Sequence, residues 1–325
     1  MFFPILWFIV GLALLIKGGD WFVDGATCIA KKFHIPEVLI GATVVSIGTT
    51  LPEVMVSATS AINGHGELAY GNAIGSIICN TALIAAITIA IRPTKVERGP
   101  LKLPVLFFFI SAAVYTVVAY CFGEFSRWVG VILLLIFAAY MVLSVRQAVK
   151  NPTVEEEHEE HKADEPTNKE LVISLISLVL GAAAIAFGAD LLVDNGTIIA
   201  KAMGVPESVI ALTFIAIGTS LPELVTAITA LVKGHGALSL GNIIGANIFN
   251  LVLVNGISVV LSPFSLPNNI QIAGINSSLL IDIPVMLFVM AFLTIPALIR
   301  KKLSRWQGIT HIAVYLAFCV SQFVI

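Results

Sequence analysis

Apolar positions in this chain do not alternate, and they do not mark one face of a helix. They run on with little interruption. Ten such runs cover about 2–23, 36–62, 67–91, 103–122, 127–148, 171–198, 206–232, 237–261, 279–299 and 306–325. A helix needs about 20 apolar residues to cross a hydrocarbon core of about 30 Å, so the pattern predicts ten membrane-spanning α-helices. The second and seventh runs contain Gly-Thr-Thr/Ser-Leu-Pro-Glu, which is expected to interrupt the helix. The first and sixth continue into polar ends. Only 151–170, NPTVEEEHEEHKADEPTNKE, breaks the pattern, and it carries 10 of the 38 Asp, Glu, Lys and Arg residues. A stretch so polar buries too little to fold by itself and reads as a solvated linker.

Composition agrees. Of the 325 residues, 58% are hydrophobic and 12% charged, about half the charged share of a soluble domain, and mean hydropathy is +0.98. A water-soluble enzyme is excluded. Net charge is −2, with no basic stretch suited to nucleic acid. Cys28, Cys79, Cys121 and Cys319 have no metal-site spacing and read as small packing residues. The first run lacks a basic flank and a small-residue cleavage site, so it is expected to be a retained span.

Lysine and arginine favour the cytoplasmic side of short loops. With the N-terminus outside and ten spans, 15 of the 18 Lys and Arg face the cytoplasm, and only Arg127 and Lys201 lie outside. Both termini are therefore expected outside and 151–170 inside.

The halves repeat. Shifting the chain by 170 residues places Asp20 and Asp24 on Asp190 and Asp194, and Ile47–Glu53 on Ile217–Glu223. The same shift places Gly64-His65-Gly66 on Gly234-His235-Gly236, and Gly71–Asn80 on Gly241–Asn250. Between 36–80 and 206–250, 21 of 45 positions are identical without a gap. The division expected is 1–150, the linker 151–170, and 171–325. Five spans per repeat make the second copy enter the bilayer from the opposite side. The fold predicted is an all-α integral membrane protein of ten transmembrane helices in two inverted five-helix repeats. In such proteins the substrate site lies at the repeat interface near the midplane.

The repeated motif carries the chemistry. Glu53 and Glu223 lie inside apolar spans, where an ionisable group costs at least a few kcal/mol and usually faces a functional cavity. Pro52 and Pro222 donate no backbone hydrogen bond, which frees the carbonyls of Gly48 and Gly218 in a turn expected to be unwound. Thr49, Thr50, Thr219 and Ser220 add hydroxyls. Ser76, Asn80, Asn247 and Asn250 add oxygens from the following helix. A donor set of oxygens alone suits hard cations such as Ca²⁺ and Na⁺, not zinc or copper. Asn72 and Asn242 are either ligands or helix caps, and Gly71, Gly75, Gly241 and Gly245 are expected to pack helices closely. Asp20, Asp24, Asp190 and Asp194 read as structural. His65 and His235 read as turn residues, and Lys17 as snorkelling or paired with Asp20.

Gly48–Glu53 with Gly71–Asn80, and Gly218–Glu223 with Gly241–Asn250, resemble the two alpha repeats of prokaryotic Na⁺/Ca²⁺ exchangers of the cation/Ca²⁺ exchanger superfamily. The resemblance covers essentially the whole chain. It implies four cation sites. Glu53 and Glu223, with the Thr49 and Thr219 carbonyls, would bind Ca²⁺. Thr50, Ser76 and the Ser46 carbonyl would help form one Na⁺ site, and Ser220 with the Ala216 carbonyl the opposite one. Asn80 and Asn250 would lie between, and the first and sixth spans would slide across this core. Exchange of three Na⁺ for one Ca²⁺ is what the family implies. This chain departs at Asn250, where Asp is common, at Ala246 for Ser, and at Ile77 for Asn.

The reading is therefore a secondary-active Na⁺/Ca²⁺ antiporter in the inner (cell) membrane, not an enzyme. It needs no cofactor. Its partners are Ca²⁺, Na⁺ and the lipid bilayer, with no nucleic acid and no obligate protein partner evident. A Ca²⁺/H⁺ antiporter using the same carboxylates is the alternative. An ion channel fits inverted repeats less well, and an intramembrane hydrolase lacks a nucleophile–base constellation.

Overall fold

A computed structural model describes residues 2–93, 95–150, 166–203, 218–267, 271–272 and 274–324. The apolar runs form ten helices among the described residues: α1 Phe2–Lys32, α2 Glu37–Ile62, α3 Gly66–Ile91, α4 Arg98–Cys121, α5 Arg127–Lys150, α6 Asn168–Ala202, α7 Leu221–Val232, α8 Gly236–Leu261, α9 Ser278–Arg300 and α10 Arg305–Val324. Eight of them are long and apolar enough to cross a membrane, all but α7 and α10. Two short antiparallel ribbons occur among the described residues, β1 Glu124–Phe125 with β2 Phe264–Ser265 and β3 Gln271–Ile272 with β4 Ile275–Asn276.

Helices α1 and α6 run well past the apolar runs, to 31 and 35 residues. The start of α6 is set by a capping box inside the expected linker. The Thr167 backbone N–H donates to the Glu170 carboxylate at 2.7 Å, and the Glu170 N–H donates back to the Thr167 hydroxyl at 3.2 Å. The rest of the linker, 151–165, lies outside the described residues.

Contacts group the chain into two units, each drawing on both halves of the sequence. The first comprises the described residues of Met1–Thr49 and Val142–Asn242, the second Thr50–Met141 and those of Ile243–Ile325.

The first unit is built on α1 and α6, which pack antiparallel along their length. Gly11 abuts Gly188, Gly18 abuts Gly181, and Gly25 abuts Ser174 and Leu178. A Cβ on Gly11 would stand 2.8 Å from the Gly188 carbonyl oxygen, so no larger residue fits this backbone approach. In lipid, apolar burial does not drive helix association, and close van der Waals packing at small residues does. Helix α7 joins α1 through Thr229 and Val225 at Gly19. It is also tied there by Lys233, whose ammonium is 2.8 Å from Asp24 and 3.3 Å from Asp20. Lys17 stands 3.8 Å from Asp20, as expected. His235, in the turn before α8, meets Glu37 in the first turn of α2 at 2.7 Å.

The second unit packs α3, α4, α5, α8, α9 and α10. Tyr115 lies between Tyr70 and Phe125, and Phe249 of α8 meets Phe137 and Tyr140 of α5. Gly308 of α10 abuts Ala86 and Ala90 of α3. The buried His311 of α10 places one ring nitrogen 3.0 Å from the Val289 carbonyl of α9. Asp282 accepts a hydrogen bond from Gln322 of α10 at 3.2 Å.

The expected break at Gly48–Glu53 is corrected. Ser46–Ile62 is continuous helix with Pro52 inside it. Pro52 deletes one bond, to the Gly48 carbonyl, and its neighbours keep theirs. The irregularity lies one turn earlier, where Gly41–Val45 form a π turn. In the second repeat the Ser220 backbone is non-helical, and α7 begins at Leu221 with Pro222 in its first turn. There the missing N–H costs nothing.

Candidate cation site

In the first unit, the polar residues of α2 are held by α8. The Ser46 hydroxyl lies 2.8 Å from the Gly41 carbonyl, 3.0 Å from the Asn242 carbonyl and 3.3 Å from Asn242 Oδ1. The Thr49 hydroxyl lies 3.3 Å from the same Oδ1 and 3.5 Å from the Ser46 carbonyl. The helices approach closely because Gly41 and Gly241 lack side chains. A Cβ on Gly241 would overlap the Val38 carbonyl, and one on Gly41 that of Leu238. The packing role expected of Gly241 is therefore realised. At Gly71 and Gly75 no described residue comes within 4 Å of a built Cβ.

Also in the first unit, Glu223 is fully buried in the first turn of α7. Positive helix N-termini favour a carboxylate there. Ser220 is buried just before it, and its hydroxyl has no hydrogen-bond partner among the described residues. Thr219 is partly buried. Ala216 lies outside the described residues.

The second unit holds Thr50, Glu53, Ser76, Asn80 and Asn250, all buried. Asn72 of α3 donates to the Ser57 hydroxyl at 2.8 Å and to the Glu53 carbonyl at 3.4 Å. It thereby ties α3 to the turn that carries the carboxylate. Asn72 and Asn242 both sit inside their helices, so neither is a cap. Their bonds make them positioning residues.

Asn80 and Asn250, the last residues of the two motifs, each open a π turn, Asn80–Ala85 and Asn250–Val254. Such turns misalign backbone carbonyls and recur at functional sites. The Asn255 amide caps the second one by donating to the Asn250 carbonyl at 3.0 Å. The side-chain amides of Asn80 and Asn250 and the Thr50 hydroxyl are buried with no hydrogen-bond partner among the described residues. Buried polar atoms in that state call for a water or an ion.

Each unit by itself thus holds one fully buried carboxylate with hydroxyl and amide oxygens around its motif. Sequence reading missed Ser57 and Thr226, both fully buried. A signal was present, since they follow Glu53 and Glu223 by four and three residues and extend the same polar stripe.

The family model for the sodium/calcium exchanger protein matches residues 3–146 and 173–324. The sodium/calcium exchanger MaX1 of Methanosarcina acetivorans is 31% identical, over 98% of this chain and 97% of its own. The inner membrane protein YrbG of Escherichia coli is 37% identical, over 78% of this chain and 79% of its own. A structure of the sodium-calcium exchanger NCX_Mj, soaked with Na⁺ and Sr²⁺, superposes with a TM-score of 0.81 at 31% identity. It covers 98% of this chain and 99% of that one.

Proposed function

Because this chain belongs to the sodium/calcium exchanger protein family, we propose that it exchanges Na⁺ for Ca²⁺ across the membrane by alternating access, with Ca²⁺ bound by Glu53 and Glu223. The observation that carries this reading is the pair of carboxylates at repeat-equivalent positions, both 0% exposed, in a multi-pass membrane protein. Burying an anion in a bilayer is costly, and a divalent cation held by two carboxylates offsets that cost. Thr49, Thr219 and Ser46 would contribute backbone carbonyls, as would Ala216. Thr50, Ser220, Ser76, Asn80 and Asn250 would complete the Na⁺ and central positions.

Two inverted repeats, 1–150 and 171–325, are supported by the packing of α1 on α6. Gly11 and Gly181 are repeat partners, as are Gly18 and Gly188. The contacts Gly11–Gly188 and Gly18–Gly181 are therefore reciprocal, as a two-fold axis requires. We place the protein in the inner (cell) membrane, as the E. coli relative's name suggests, with both termini outside and 151–170 cytoplasmic.

Ca²⁺ uptake into proteoliposomes under separately imposed Na⁺, K⁺ and H⁺ gradients tests the coupling. Uptake driven by an outward Na⁺ gradient alone is expected. Uptake that follows a pH gradient without Na⁺ would replace this reading by Ca²⁺/H⁺ antiport.

A further inference from the structure

Asn247 lies on α8 three residues before Asn250, so the two share a helix face. It is fully buried. Its amide nitrogen donates to the Thr81 hydroxyl of α3 at 2.7 Å and to the Met290 sulfur of α9 at 3.1 Å. The Thr81 hydroxyl donates to the same sulfur at 3.2 Å. All four groups belong to the second unit.

This arrangement fixes which way the amide faces. A thioether has no hydrogen to give, so only the N–H edge of the amide can turn toward it. Thr81 gives its proton to the sulfur, which leaves its oxygen to accept from the amide. The carbonyl oxygen Oδ1 is then the outward end. It is buried with no hydrogen-bond partner among the described residues. The same holds for the amides of Asn250, one turn on, and of Asn80, the chain neighbour of Thr81. Leaving a buried amide oxygen without a donor costs as much as a lost hydrogen bond. A cation would supply the missing partner.

We infer that Asn247 is a further cation ligand, offering its side-chain carbonyl oxygen to Na⁺, with Met290 and Thr81 as the positioning residues that aim it. A neutral amide oxygen suits a hard monovalent ion. The feature belongs to one repeat only, since the counterparts of Asn247 and Thr81 are Ile77 and Leu251. It stands beside Ala246, where the first repeat has the hydroxyl of Ser76. The second repeat thus lacks an oxygen at one position and presents one at the next. The assignment rests on the exchange reading above, and the test separates the two.

The experiment measures Na⁺-dependent Ca²⁺ exchange in proteoliposomes, and Na⁺-dependent thermal protection of the purified protein, for the wild type and three variants. Asn247→Ala is expected to raise the half-maximal Na⁺ concentration about fivefold or more, the worth of one lost neutral contact. Asn247→Asp keeps an oxygen and adds charge but loses the N–H bonds that aim it, and is expected between the wild-type and Asn247→Ala values. Met290→Leu keeps the volume but removes the acceptor that orients the amide, and is expected to raise it about two- to threefold. Half-maximal Na⁺ within twofold of wild type in both Asn247→Ala and Met290→Leu would overturn the assignment. So would an Asn247→Asp protein as impaired as Asn247→Ala, because the amide N–H would then be the part that matters. If Asn247→Ala does not fold, Met290→Leu decides. A wild type without Na⁺-driven flux would defeat the exchange reading. In that case, Na⁺ protection lost in Asn247→Ala would still support the ligand, and equal protection in both would refute it.

Discussion

Asn242 Oδ1, on α8, lies 3.3 Å from the hydroxyl of Thr49 on α2. This bond joins the first half of one alpha repeat to the second half of the other, and Ser46 shares the same acceptor. Asn242→Ala would leave the buried Thr49 hydroxyl with only its 3.5 Å contact to the Ser46 carbonyl, while Ser46 keeps the Gly41 carbonyl at 2.8 Å. We expect a loss of about 1–3 kcal/mol of stability and reduced exchange. Thermal melting in detergent beside Ca²⁺ uptake checks this. An unchanged melting temperature would show that the Thr49 hydroxyl does not need Asn242.

Glu53→Gln and Glu223→Gln keep the size of each side chain and remove its charge. Each is expected to reduce Ca²⁺ exchange to background while the protein still inserts and purifies as a monodisperse species. Uptake at the wild-type rate in either variant would remove that residue from the site.

Gly188 on α6 stands against the backbone of Gly11 and Leu15 on α1. Gly188→Leu inserts a side chain where a Cβ alone would lie 2.9 Å from the Gly11 carbonyl oxygen. Overpacking of this kind costs about 1–3 kcal/mol and occasionally more. A clear fall in melting temperature is expected, whereas Leu191→Ala nearby should be milder. Equal stability in wild type and Gly188→Leu would mean that α1 and α6 are not held this closely.

Ala246 is fully buried beside Asn247. Ala246→Ser restores the hydroxyl that the first repeat has at Ser76. With the two repeats inverted as proposed, it is expected to lower the Na⁺ concentration for half-maximal exchange from one side of the membrane only. Na⁺ dependence unchanged from both sides would mean that this position does not contribute a ligand here.

Topology is open to direct labelling. With Glu160→Cys as the probe in an otherwise cysteine-free protein, a membrane-impermeant maleimide is expected to react only after cells are opened. Reaction from outside intact cells would invert the proposed orientation, which rests on the distribution of Lys and Arg along the sequence.

Much of this protein was determined by its sequence alone. Uninterrupted apolar runs have no alternative in water, so the helical membrane class follows from the hydrophobic effect and the length of each run. The duplicated Gly, Pro, Glu and Asn positions pointed to the proposed cation site, because a carboxylate inside an apolar span needs a compensating partner. Tertiary structure decided what local rules leave open. Pro52 was expected to unwind its helix, but a single lost backbone bond is tolerated, and the irregular turn formed at Gly41–Val45 instead. The π turns at Asn80 and Asn250 leave no mark in composition, since one extra residue in a turn depends on how neighbouring helices press on the backbone. Asn72 and Asn242 were equally caps or ligands by sequence, and only their partners across α2 made them struts. The Lys233 pairing with Asp20 and Asp24, like the Asn247–Thr81–Met290 contact, joins residues from distant parts of the chain. No periodicity within a single helix encodes which side chain of another helix will stand opposite, because that is set by packing.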